Sequence, residues 1–202
     1  MKRKKAIIIL ICLFLLDLIL VLTDNISFID NNIYRFIISF KSDILTNIFK
    51  TISFLASTKV IIFFNVIIAI IVLINKKTNM LLITISSISS GVINNLIKYI
   101  IKRDRPFGIA LVNETFYSFP SGHSMIAILF YGMIIYKIIE HDFKYKRILI
   151  AIISLYILLV GISRIYLGVH YASDVIGGYL LATSILLILT LVHEKYSKEN
   201  RI

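Results

Sequence analysis

Lys98 is separated by six residues from Arg105-Pro106. A second stretch reads Pro120-Ser121-Gly122-His123. A third runs from Ser163-Arg164 across five residues to His170, then across three more to Asp174. Basic side chains, a Ser-Gly turn, two histidines and one carboxylate are the set that metal-free phosphoryl transfer needs. The cations hold a phosphate, one imidazole attacks phosphorus, and the other protonates the leaving oxygen. Arginine forks match phosphate oxygens two at a time, and their charge stabilises the five-coordinate transition state.

The local spacing supports this chemistry. His170 and Asp174 are four residues apart at the start of an apolar block, which predicts both side chains on one helix face. The carboxylate can then take the Nδ1 proton and leave Nε2 as the attacking atom. Ser121 is a natural N-cap, and Gly122 lets an anion approach the free N–H groups of a helix start. His123 follows in the first turn. Lys98, Arg105 and Arg164 lie near the ends of apolar blocks. Each signal alone also has a plain structural reading, as a local hydrogen bond, a loop or a snorkelling cation. Their combination carries the chemical one. Lys102, Arg103 and Asp104, inside the first stretch, are assigned to the solvated face.

The elements that must position these residues are membrane spans. Of the 202 residues 58% are hydrophobic, and they fall in blocks of about 20, the length that crosses a bilayer core. The blocks run roughly over 6–22, 52–74, 80–100, 121–139, 148–166 and 171–192. The net charge of +11 would suggest nucleic acid in a soluble chain. Here the charges lie in short loops between apolar blocks, so a membrane is expected as partner and nucleic acid is not. The first block follows a basic start, and Thr23-Asp24-Asn25 lacks the small residues of a cleavage site, so it is read as a retained span. Asp17 within it is read as facing the bundle, and the lone Cys12 as a packing residue. No linker-like stretch or repeat divides the chain, which reads as a single domain, 1–202, with its motifs within 98–174.

Between the first two blocks, Ile26, Ile29, Ile33, Ile37, Phe40, Ile44 and Ile48 recur at steps of three and four. Asp30, Asn31, Arg35, Ser42 and Asp43 fill the other positions. That pattern predicts an amphipathic helix, single or broken in two, either at the membrane interface or packed on the bundle. In the third block, Ser86, Ser87, Ser89, Ser90, Gly91, Asn94 and Asn95 form a small and polar face suited to close helix packing.

Six spans put both termini on one side. The segments on that side, which include Lys76, Lys77 and Arg201, hold 13 of the 22 basic residues. The positive-inside rule therefore predicts cytoplasmic termini. All three motifs then fall at the outer ends of spans. The charge distribution does not depend on the motifs, so their convergence on one face supports that topology independently.

With these residues in view, the chain resembles the type 2 phosphatidic acid phosphatase superfamily, whose fold and site are shared with vanadium haloperoxidases. The signature Lys-x6-Arg-Pro, Pro-Ser-Gly-His and Ser-Arg-x5-His-x3-Asp is matched at every position. The resemblance implies an all-α integral membrane phosphatase. It implies His170 as nucleophile through a phosphohistidine, Asp174 as its partner and His123 as general acid. Lys98, Arg105, Ser121, Gly122 and Arg164 would be phosphate ligands, with Pro106, Pro120 and Ser163 completing the motifs. Neither a metal nor a cofactor is implied. His141 and His193 fall in inner segments and are read as bystanders.

The expected fold is a six-helix membrane bundle with an amphipathic interfacial helix between spans one and two. The expected substrate is a membrane lipid phosphate or diphosphate, such as undecaprenyl diphosphate, phosphatidylglycerophosphate or phosphatidic acid. Two other classes share parts of the pattern. One is a phosphotransferase that passes the phosphoryl group to another lipid. The other is a transporter without catalysis, but its polar residues would be paired in two halves of the chain, and here they are not. The sequence leaves the oligomeric state open.

Overall fold

The computed structural model describes residues 2–75, 78–108 and 110–199, so Lys76, Lys77 and Arg201 lie outside the described residues. All regular structure in them is helical. In chain order the helices are α1 (Lys2–Leu22), α2 (Ser27–Ser39), α3 (Asp43–Leu55), α4 (Thr58–Asn75) and α5 (Leu81–Ile101). They are followed by α6 (Gly122–Ile139), α7 (Lys146–Tyr166) and α8 (Ala172–Glu199). Six segments are long and apolar enough to cross a membrane: α1, α3 with α4, α5, α6, α7 and α8. Their outward faces are apolar. Ile8 on α1, Ile62 on α4, Val92 on α5 and Ile152 on α7 are all exposed, as expected where the solvent is hydrocarbon.

The bundle is built around α6. Its buried Met125, Leu129 and Ala127 pack against α8, α5 and α7. At Ala127–Tyr131 the helix makes one π-helical turn, a feature that frees backbone carbonyls. Ser86 Oγ donates to Leu129 O there at 2.8 Å. Of the face expected to pack, Ser86, Ser87, Ser90 and Asn94 are buried, while Gly91 and Asn95 are exposed, and Ser87, Ser90, Gly91, Asn94 and Asn95 line a cavity. Along α1 and α8, Arg3 Nη1 pairs with Glu194 Oε1 at 2.5 Å. The beginning of the first span and the end of the last therefore meet at one end of the bundle.

The stretch between α1 and α4 differs from the sequence expectation. Helix formation does not start at residue 52. It starts at Asp43, capped by Ser42 Oγ, which accepts from Leu45 N, and it breaks at Ala56-Ser57. The carbonyls near the break find side-chain donors. Tyr131 Oη donates to Leu55 O at 2.8 Å and Tyr156 Oη to Ile52 O at 3.0 Å, which satisfies backbone that hydrocarbon cannot. The amphipathic pattern is split between α2 and the first turns of α3. Tyr166 Oη holds the gap by accepting from Ser42 N at 3.0 Å.

Two readings of single residues are corrected. Asp30 belongs to no water-facing stripe: it is 1% exposed and points into the protein, because Ser173 and Arg103 supply donors there. Cys12 is exposed and is not a packing residue, since α1 turns the other side of its cylinder, carrying Phe14 and Asp17, to the bundle. Asp17 is buried against Gly177 of α8. Its Oδ2 has no hydrogen-bond partner among the described residues.

Candidate active site

The end of α5, the start of α6, the end of α7 and the start of α8 meet at the end of the bundle opposite Arg3 and Glu194. Gly168, at a φ of 76°, turns the chain out of α7; at that angle glycine avoids the strain that a β-carbon would bring. His170 follows in the connection, two residues before α8 begins. It is therefore not on the helix, as its four-residue spacing from Asp174 had suggested. The pair forms nonetheless: His170 Nδ1 lies 3.3 Å from Asp174 Oδ2. Asp174, in the first turn of α8, also accepts from Tyr171 N at 2.8 Å.

Arg105 fixes the tautomer of His170. Its Nη1 lies 3.3 Å from His170 Nε2, and a guanidinium can only donate. Nε2 must accept, so the ring proton sits on Nδ1 facing the carboxylate. His170 is 1% exposed. Burial, reinforced by the charges of Arg164, Lys98 and Arg105, holds its pKa well below the usual imidazole range. It is a neutral imidazole with its Nε2 lone pair directed at Arg105. Burial also lowers the Arg105 pKa. Arg105 is braced by Val169 O and Phe116 O, each at 2.7 Å.

Ser121 caps α6 as expected, accepting from Ser124 N at 3.4 Å. Its backbone N–H donates to Asp174 O at 2.9 Å. That bond ties the turn carrying His123 to the turn carrying Asp174. Gly122 packs against Asn94 of α5: a β-carbon there would lie 3.0 Å from Asn94 Oδ1. Asn94 Nδ2 in turn donates to Pro120 O at 2.9 Å. Lys98 Nζ reaches across to Tyr117 O at 2.6 Å.

These groups surround a cavity of about 350 Å³. Lys98, Arg105, Gly122, His123 and His170 line it, with Glu114 and Phe116. Its other walls are mixed: Ala56 at the helix break, Thr58, Ile61 and Ile62 on α4, and Ile126 are joined by the polar Ser87, Ser90, Asn94 and Asn95 with Ile88 and Gly91 on α5. Of the signature residues expected to bind phosphate, Ser121 and Arg164 are not on this lining. Ser121 is fully buried, with its Oγ taken by the Ser124 hydroxyl at 2.9 Å. Arg164 is held by Ser53 Oγ at 2.5 Å and by an ion pair with Glu114. Pro106, Pro120 and Ser163 are buried behind the site, and Ser163 Oγ closes on Val160 O at 2.6 Å within α7. His141 and His193 do not line the cavity.

The assignment of Arg103 to the solvated face is corrected. Its side chain is 13% exposed and bridges two carboxylates, Asp174 Oδ1 at 2.6 Å and Asp30 Oδ2 at 2.7 Å. Burial works against its charge, but the two aspartates outweigh it and raise its pKa. Lys102 and Asp104 are exposed as expected. Glu114 was not singled out in the sequence either. It sits between Arg164 and Arg105, whose Nη2 is 3.7 Å from Glu114 Oε2. No spacing rule marks a lone carboxylate in a loop or one aspartate on an amphipathic helix.

Comparison with known proteins adds to this geometry. The PAP2 superfamily model matches residues 79–198. Phosphatidylglycerophosphatase B of Bacillus subtilis is 40% identical over 109 residues, 52% of this chain and 54% of that protein. Undecaprenyl-diphosphatase of Sulfolobus acidocaldarius is 33% identical over 123 residues, 56% of this chain and 55% of that protein. The matches thus span about half the length of these curated relatives. Among solved structures, the transmembrane PAP2-type phosphatidylglycerolphosphate phosphatase from Bacillus subtilis superposes with a TM-score of 0.87 at 30% identity, covering 94% of this chain and 96% of that one. LpxE of Aquifex aeolicus superposes with a TM-score of 0.64 at 26% identity, covering 81% and 94%. The buried His170-Asp174 pair stands with Arg105 and Lys98 at one end of this bundle. The chain belongs to the PAP2 superfamily, and its fold is the multi-pass transmembrane form of that family.

Proposed function

We propose that this chain, as a single domain over 1–202, is a metal-independent phosphatase of membrane lipid phosphates or diphosphates. The observation that carries the reading is the lining of one cavity. It brings His170, Arg105 and Lys98 together with the apolar Ile61, Ile62 and Ile88 of α4 and α5, and His170 Nε2 faces Arg105 within it. The charged groups suit a phosphate and the apolar ones an acyl or prenyl chain.

In the proposed reaction, His170 Nε2 attacks phosphorus as the bond to the leaving oxygen breaks, and His123 gives that oxygen its proton. Positive charge developing on the imidazole is balanced by Asp174 at Nδ1. Water then attacks the phosphohistidine, His123 takes the proton, and phosphate leaves. Lys98, Arg105 and Gly122 hold the phosphate oxygens directly. Ser121 shapes the turn through its cap, and Arg164 takes up a ligand role when phosphate displaces Glu114. These cations supply the charge compensation, and no step calls for a metal or a cofactor.

The same reading puts the termini in the cytoplasm and the site at the outer leaflet, on the strength of the charge distribution. It puts α2 at the interface. Ile33, Tyr34, Ile37 and Ile38 pack on Ile165, Ala172 and Val175, while Phe28, Phe36 and Phe40 are exposed and suit the headgroup layer. The two curated relatives carry names that point to different lipids, a phosphatidylglycerophosphate and an undecaprenyl diphosphate. The common element, a phosphate on a long lipid, is the substrate class proposed here. Purified protein assayed for phosphate release on a panel of both kinds tests it. Release from at least one in the presence of chelator is expected; release from none overturns the hydrolase. A phosphotransferase would instead show a newly phosphorylated lipid without free phosphate.

A further inference from the structure

Arg103 is bound to the carboxylate of Asp174 and Asp30 is bound to Arg103, and neither residue lines the cavity proposed to hold the phosphate. Asp174 uses both oxygens. Oδ2 takes His170 Nδ1 and Tyr171 N, and Oδ1 takes Arg103 Nη1 at 2.6 Å and the Ser118 hydroxyl at 3.4 Å. Arg103 has no freedom to leave. Its Nη1 also donates to Ser173 Oγ at 2.7 Å, its Nη2 donates to Asp30 Oδ2 at 2.7 Å, and its guanidinium lies 4.6 Å from the centre of the Tyr171 ring. Asp30 is fixed in turn by Ser173, whose N–H donates to Oδ1 at 3.0 Å and whose hydroxyl donates to Oδ2 at 2.5 Å. Asp30 and Asp174 are 1% and 0% exposed. A buried carboxylate keeps its charge only where donors and an opposite charge compensate its lost hydration.

We propose that Arg103 is a positioning residue for Asp174, and that Asp30 of α2 holds Arg103 in place, so that α2 takes part in setting the nucleophile. The inference rests on His170 being the nucleophile and Asp174 its partner. Arg103 pulls on Oδ1, which turns Oδ2 toward His170 Nδ1. It also keeps Asp174 ionised, and an ionised partner is needed when the imidazole gains charge on attack. Arg103 does not line the cavity, so it is not assigned as a phosphate ligand even though it lies two residues from Arg105.

The distinction can be read from kinetics. In purified, detergent-solubilised full-length protein acting on a lipid phosphate, Arg103→Gln should lower kcat by about a hundredfold, the scale of losing an orienting partner. KM should change by less than about threefold, because phosphate binding is untouched. Arg103→Lys keeps the charge but not the fork, and should recover part of the loss. Asp30→Asn keeps the shape and the acceptor for Ser173 N, so it should fold even where an Arg103 variant does not. It should lower kcat about tenfold, again at constant KM. Combined with Arg103→Gln, Asp30→Asn should cost less than about twofold more, because it acts through the residue already removed. His170→Ala is measured alongside. If it stays active, the nucleophile assignment has failed. If it is dead while Arg103→Gln and Asp30→Asn stay within about threefold of wild type, the positioning role has failed and the nucleophile assignment stands. A rise in KM at constant kcat would make Arg103 a phosphate ligand and overturn the inference. Independent, multiplicative losses in the double variant would overturn the role given to Asp30.

Discussion

His170 donates from Nδ1 and accepts at Nε2, and its reactivity follows from that asymmetry. Replacing it with alanine removes the imidazole that faces Arg105. His170→Ala should therefore retain less than about a tenth of the wild-type rate, and more would mean that under about 1.4 kcal/mol of barrier was lost. Asp174→Asn keeps the attacker but loses the charge that balances the imidazolium as it forms, so low but measurable activity is expected. The depressed pKa of His170 sets a pH dependence with a definite sign. The nucleophile must be neutral, so the acid limb of the activity lies well below the ordinary imidazole pKa of about 6.5. Arg105→Gln removes a cation 3.3 Å from Nε2. The His170 pKa then rises, and the acid limb of kcat should move to higher pH. A limb that stays still or moves down, on the same substrate, contradicts the electrostatic account. The residues of the three motifs were legible in the sequence because their chemistry is rare at that spacing. Arg103, Asp30 and Glu114 were not, because a charge near a helix end reads as solvated until a partner from a distant segment is known.

At the scale of the elements, spans were legible from the length of apolar blocks, but breaks within them were not. Nothing in Leu55-Ala56-Ser57 forbids a helix. The break between α3 and α4 depends on Tyr131 and Tyr156, which arrive from α6 and α7 to take Leu55 O and Ile52 O. The amphipathic stretch was legible as helical, but its split at Phe40–Ser42 is held by Tyr166 from α7. The close crossing of α7 and α8 shows how packing sets the site. Gly161 N donates to Tyr179 Oη at 2.9 Å, and a β-carbon on Gly161 would lie 2.2 Å from that oxygen and 2.6 Å from Val175 Cγ1. α7 carries Arg164 and α8 carries Asp174, so their separation fixes part of the site. Gly161→Ala should destabilise the protein by about 1–3 kcal/mol, the usual cost of overpacking. A lower thermal unfolding midpoint in detergent checks this, and a midpoint unchanged from wild type contradicts it.

At the scale of the whole molecule, the topology proposed above rests on the distribution of basic residues between the two ends of the spans. A cysteine at Asn113, beside Glu114 in the site loop, should react with an impermeant thiol reagent on intact cells in a Cys12→Ser background. A cysteine at Asp142, between α6 and α7, should not react. The reverse pattern would put the site in the cytoplasm and change the pool of lipids it meets. Chelator should leave the rate unchanged, because Lys98, Arg105 and Arg164 supply the positive charge, and orthovanadate should inhibit by taking the five-coordinate geometry. Loss of activity in chelator, restored by magnesium, would contradict that mechanism. The measurement closest to the central claim is rapid quenching of the purified protein with a lipid carrying labelled phosphate, followed by location of the label. Transient label on His170 in the wild type, and none in His170→Ala, is the predicted result. Label on another residue, or full turnover by a His170→Ala protein, would contradict a phosphatase that works through this histidine.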